Sequence, residues 1–137
     1  MLRDNEIAVG IVAYFDPNIL TNPGMGITPS NSQLNRAGPF VCVQIEGTQS
    51  AWCEITSAYR PERVEILPEW RRGGSWNWNN NAQYINDCRT PYLGPTASFI
   101  QAAAAEIDFT TCARPSVTQE GIQVILTQIQ LLGGQLL

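Results

Sequence analysis

Ile55-Thr56-Ser57 ends a β-branched run with two hydroxyls, and Arg36 stands 20 residues upstream in a loop of glycines and prolines. A hydroxyl and a guanidinium of this kind can steady a charged phosphorus or carbonyl centre. Read without further context, Thr56 and Ser57 are as well explained as strand-end or turn-capping hydroxyls, and Arg36 as a solvated loop charge. The chain has no histidine and no lysine; all 8 of its cations are arginines. Without an imidazole, Ser-His-Asp and Cys-His nucleophile systems are closed to it. Without a lysine, so are Schiff-base and phosphate-loop chemistries. Stabilisation of an anion by arginine is the mechanism most open to this composition. Glu54 lies two residues before Thr56 and so on the same strand face. It can serve as a general base, although an alternating strand glutamate is more often a solvated one.

A second group is Trp70, Arg71, Arg72, Trp76 and Trp78, in a stretch rich in glycine and asparagine. Stacking faces beside fixed cations suit single-stranded nucleic acid or a protein partner. The bland alternative is a satellite apolar cluster folded under the loop. Arg60 and Arg63 flank Pro61-Glu62 and are expected to pair with Glu62 and Glu65, which contributes little at a surface.

The elements that must carry these residues are short. Residues 1–137 are expected to form a single domain, and the 15% of charged residues is too few for a disordered chain. Ile7–Phe15, Phe40–Ile45, Ala51–Ser57 and Arg63–Leu67 read as strands, with a hairpin turn at Glu46-Gly47-Thr48-Gln49. Ser98–Ile100 and Ile107–Thr111 read as further strands, and Ala102–Ala105 as one helical turn. Ile122, Ile125, Leu126, Ile129 and Leu132 recur at helical spacing after a Thr118 cap, and Gly133-Gly134 ends that helix. The expected fold is mainly β: a small antiparallel barrel closed by a C-terminal amphipathic helix. Cys42 and Cys53 fall in apolar strands and are expected to be buried and unpaired. No secretion signal and no membrane-length apolar run is visible, so a cytoplasmic protein with reduced thiols is expected. The net charge of -4 confines any nucleic-acid site to a local arginine patch.

Gly10-Ile11-Val12-Ala13-Tyr14-Phe15-Asp16-Pro17, Arg36-Ala37-Gly38-Pro39-Phe40-Val41-Cys42-Val43, Ile55-Thr56-Ser57 and Ser116-Val117-Thr118-Gln119-Glu120-Gly121-Ile122 occur in this order. In order and spacing they resemble the MazF/PemK family, the ribonuclease toxins of bacterial toxin–antitoxin modules. The resemblance implies an SH3-like barrel that forms a homodimer, meets a cognate antitoxin and cleaves single-stranded RNA without metal or other cofactor. It implies that the RNA 2′-hydroxyl attacks the adjacent phosphate while an arginine and a hydroxyl steady the charge, which makes Thr56, Arg36 and Ser57 the candidate catalytic residues. The family's arginine immediately precedes the strand-opening proline; this chain has Gly38 there, and Arg36 two residues earlier. The competing class is a non-catalytic SH3-like binding module that uses the Trp/Arg loop for a protein, ligand or nucleic-acid partner.

Overall fold

A computed structural model describes residues 1–30, 38–106 and 109–137. In chain order the elements are β1 (Val12–Phe15), α1 (Pro17–Leu20), β2 (Gly38–Glu46), β3 (Gln49–Thr56), β4 (Arg71–Arg72), α2 (Trp76–Asn80), β5 (Tyr84–Ile85), β6 (Tyr92–Pro95), α3 (Thr96–Ala102), β7 (Ser116–Val117) and α4 (Gln119–Leu131). Helix takes 30% of the chain and strand 27%, so the fold is mixed rather than mainly β.

The centre is the β2–β3 hairpin, turned at Gly47 with Glu46 paired to Gln49. β1 lies antiparallel along β2, and the far edge of β3 is shared. Its first half pairs with β6 and its last two residues, Ile55 and Thr56, pair with β5. The resulting five-stranded antiparallel sheet is not closed into a barrel. β4 and β7 form a separate two-stranded ladder.

Alternation along β3 sends its side chains into two different cores. Cys53 and Ile55 face α4 through Ile122, Ile125 and Ile129. Trp52 faces the opposite layer, against Phe15, Phe40 and Phe99. The aromatic rings there sit 5.0–5.6 Å apart in tilted and edge-on arrangements, the geometry ring quadrupoles favour.

α4 follows the sequence expectation closely. Thr118 caps it by accepting from the Gly121 amide. A Cβ at Gly121 would come within 2.8 Å of Val117 and 3.0 Å of Trp70, so glycine is what lets the helix approach the indole. That close packing offsets its helix cost of about 1 kcal/mol.

Several expected strands are corrected. Ser98–Ile100 lies inside α3, because Phe99 and Ala102 share the helix face buried against the aromatic core. Arg63–Leu67 makes a bridge from Glu65 to Tyr84 and no strand, since Pro68 turns the chain into a 3₁₀ turn. The first strand shortens to Val12–Phe15, and Gly10 before it adopts a left-handed φ of 100°. Of the expected strand Ile107–Thr111, Ile107 and Asp108 lie outside the described residues, and Phe109–Thr111 is not extended in a ladder.

Cys42, Cys53 and Cys88 are buried free thiols, and Cys112 is half-buried and free. Burial pushes Cys42 up to about 12 and Cys88 up to about 11, and raises Cys53 as well. The thiolate is the reactive species. An aromatic disulfide reagent is therefore expected to label Cys112 alone in the native protein and all four thiols after denaturation. Rapid native labelling of Cys42 or Cys53 would contradict the packing.

Candidate functional site at the end of the third strand

The row Trp52, Glu54, Thr56 runs from the aromatic core to its rim. Trp52 is buried, Glu54 and Thr56 are half-buried, and Ser57 is exposed. Thr56 pairs with Tyr84 of β5. Its Oγ1 accepts from the Ala58 amide at 3.2 Å, which turns the chain and leaves the hydroxyl proton to be donated elsewhere. Ser57 is brought to the same turn.

Phe40 pairs with Glu54, so the antiparallel register carries Gly38 to the level of Thr56. Among the described residues, a Cβ built on Gly38 meets nothing within 4 Å. Arg36 lies outside the described residues.

Arg63 does not pair with Glu62 or Glu65. It donates from Nη1 to the Ala58 carbonyl at 2.8 Å, from Nε to the Asn86 carbonyl at 2.9 Å and from Nη2 to Asn86 Oδ1 at 2.6 Å. One guanidinium thus staples the turn after Thr56 to the chain leaving β5. Burial raises the Glu54 carboxyl above its ordinary value, and the charge of Arg63 only partly opposes that.

A raised folded-state pKa makes the stabilising contribution of Glu54 complete below its unfolded value and lost as pH rises through the folded one. At neutral pH the ionised carboxylate therefore costs stability. Glu54→Gln is expected to melt higher than wild type at pH 7, with the difference closing towards pH 4. A lower melting temperature for Glu54→Gln at pH 7 would contradict this.

The Trp/Arg loop divides. Trp70 and Trp78 are buried in the core beneath α4, and Arg71 is buried with them. Arg71 donates to the carbonyls of Ile66 at 2.9 Å, Trp78 at 3.2 Å and Asn81 at 2.8 Å. These three residues are packing, not contact surface; a buried guanidinium needs such acceptors and finds them in the backbone. The asparagines hold the segment as well: Asn79 donates to the Gly73 and Ser75 carbonyls, and Asn80 to that of Trp76. Trp76 and Arg72 remain outside. Trp76 is 71% exposed, and Arg72 donates to the carbonyls of Glu69 and Arg71.

The sequence reading did not single out Tyr59, Tyr84 and Asn86 at this site. Tyr84 and Asn86 arrive through strand pairing, which no local pattern displays. Among the described residues no cluster of three histidines, cysteines or carboxylates is placed to hold a metal ion, and no helix is long and apolar enough to cross a membrane.

No protein-family model, curated protein or solved structure matches this chain. The case for function rests on the residues at the end of β3.

Proposed function

We propose that this protein is a metal-independent endoribonuclease of a toxin–antitoxin module that cleaves single-stranded RNA in the cytoplasm. The observation that carries the reading is the end of β3. A free hydroxyl proton on Thr56, a carboxyl on Glu54 with a raised pKa and the cation of Arg63 gather there, without any imidazole.

Each group has a role. Glu54 takes the proton of the RNA 2′-hydroxyl, its raised pKa suiting a base that works near neutral pH. The 2′-oxygen bonds to phosphorus as the bond to the 5′-oxygen breaks, and that oxygen takes a proton from water. Thr56 donates to a non-bridging phosphoryl oxygen, where charge builds in the transition state. Arginine supplies the balancing cation; Arg36 retains that role from the sequence reading, and Ser57 is the neighbouring donor.

The same reading extends to an SH3-like barrel. Ile66 donates to Gln83 and Ile85 to Val64, so the segment before β4 lies along β5. At the other end β4 pairs with β7, and Ser116 of β7 bridges to Ile11 before β1. These isolated bridges link the open sheet to the β4–β7 ladder at both ends, which is what supports the barrel reading. A homodimer and a cognate antitoxin complete the proposal.

The test is cleavage of a mixed-sequence, end-labelled single-stranded RNA. Thr56→Ala is expected to lose about 10²–10³ in rate, as when one such donor is removed. A Thr56→Ala enzyme cleaving at the wild-type rate would overturn the assignment. A second reading, a non-catalytic binding module, draws on Trp76, which stands exposed at the start of the firmly hydrogen-bonded α2. Loss of binding to a partner in Trp76→Ala, without any cleavage by wild type, would favour it.

A further inference from the structure

Building on the ribonuclease reading, we propose that Tyr59 and Arg60 hold one nucleotide of the single-stranded RNA beside Thr56, Tyr59 stacking on its base and Arg60 taking its phosphate. Tyr59 is 68% exposed, a heavy exposure for an aromatic side chain. It is nonetheless fixed. Its ring centroid lies 5.9 Å from that of Tyr84 at an interplanar angle of 68°. Such an edge-to-face contact orients a ring without covering it. Tyr84 is in turn the strand partner of Thr56, so the platform is tied to the hydroxyl we place at the phosphorus centre.

The backbone at Tyr59 is set from both sides. Thr56 Oγ1 accepts from the Ala58 amide, and Arg63 donates to the Ala58 carbonyl. The ordering entropy that a loose loop would lose on binding is thereby largely spent in folding. Arg60 follows immediately. It is exposed, and among the described residues its side chain makes no hydrogen bond or ion pair. Arg63, Arg71 and Arg114 each donate to protein acceptors, and Arg89 pairs with Asp87. Arg60 is thus an uncommitted cation, next to an uncovered aromatic face and on the strand end that carries Thr56. An aromatic face with an adjacent guanidinium is the combination that holds single-stranded nucleic acid regardless of base identity.

Binding of a short 2′-O-methyl oligoribonucleotide, which lacks the attacking hydroxyl and is not cut, separates the parts. Tyr59→Ala is expected to weaken binding roughly 5- to 150-fold, the range for loss of one stacked base, while Tyr59→Phe binds like wild type. Replacing the stacked base by an abasic residue is expected to weaken wild type and leave Tyr59→Ala unchanged. Arg60→Gln is expected to lower the slope of log affinity against log salt by about 0.7, one phosphate's share on a single strand. Tyr59→Ala binding as tightly as wild type would overturn the platform while leaving the ribonuclease reading in place. If wild type fails to bind the oligonucleotide, the platform and the ribonuclease reading both fall.

Discussion

Arg114→Met is expected to destabilise the protein by about 3–5 kcal/mol, the cost of removing one partner from a buried ion pair. Glu106 is the reason. Its side chain is 1% exposed, and Arg114 reaches it from Nη2 at 2.7 Å and from Nη1 at 2.9 Å. Tyr14 adds a backbone amide at 2.8 Å. Arg114 also donates to Glu6 at 3.0 Å and to the Val12 carbonyl at 3.0 Å, and it lies 4.8 Å from the centre of the Phe109 ring. One side chain thus joins the N-terminal turn, β1 and the chain after α3. Methionine would fill the volume but leave the buried Glu106 carboxylate only the N-terminal ammonium, 3.9 Å away, as a cation. Urea denaturation at pH 7 measures the loss, and Arg114→Met combined with Glu106→Leu is expected to regain much of it, because the orphaned charge goes too. A loss below about 1 kcal/mol for the single variant would show the pair to be solvated.

The network has a pH signature. Burial alone would raise Glu6, but the hydrogen bond from Arg114, helped by the Arg3 amide, holds it below the usual carboxylate range. A depressed folded pKa contributes stability that is present above the unfolded value of 4.5 and lost as pH falls through the folded one. That acid limb opposes the one from Glu54 and is expected to shrink in Arg114→Met, where only the contribution of Arg3 remains.

Trp78→Ala is expected to cost about 3–5 kcal/mol, whereas Trp76→Ala, two residues away, stays within about 0.5 kcal/mol. Trp78 is 4% exposed and packs in the same core as α4. Its Nε1 donates to the Arg72 carbonyl at 3.2 Å, and the Arg71 guanidinium lies 6.0 Å from the ring centre. Gly74 stands so close to the indole that any Cβ there would collide with it. Truncation leaves a cavity and strips Arg71 of part of its cover. Thermal melts of the two single variants separate the roles; equal, small shifts would place Trp78 at the surface.

What the sequence displays is what local spacing controls. The Glu46–Gln49 turn, the α4 period with its Thr118 cap and the apolar setting of Cys42 and Cys53 all appear where they were expected. Ser98-Phe99-Ile100 misleads because β-propensity is a weak prior, overridden once Phe99 and Ala102 must enter one core together. The Trp/Arg loop misleads in another way. Trp and Arg suit an interface and a core with internal acceptors equally well, and only the carbonyls of Ile66, Trp78 and Asn81 decide for Arg71. At the candidate site, Thr56 and Glu54 are legible as a period-two pair. Tyr84, Asn86 and the contacts of Arg63 to Asn86 depend on pairing across 23 or more residues, which the chain does not announce locally.

The central claim is that the end of β3 cleaves RNA by charge stabilisation and carboxylate base catalysis. It is tested most directly by incubating the purified protein with single-stranded RNA in excess EDTA, beside Thr56→Ala. The account predicts cleavage by wild type that survives EDTA, leaves a 2′,3′-cyclic phosphate and a 5′-hydroxyl at the cut, and falls about 10²–10³-fold in Thr56→Ala. Intact RNA with wild type, or equal cleavage by both proteins, would contradict it.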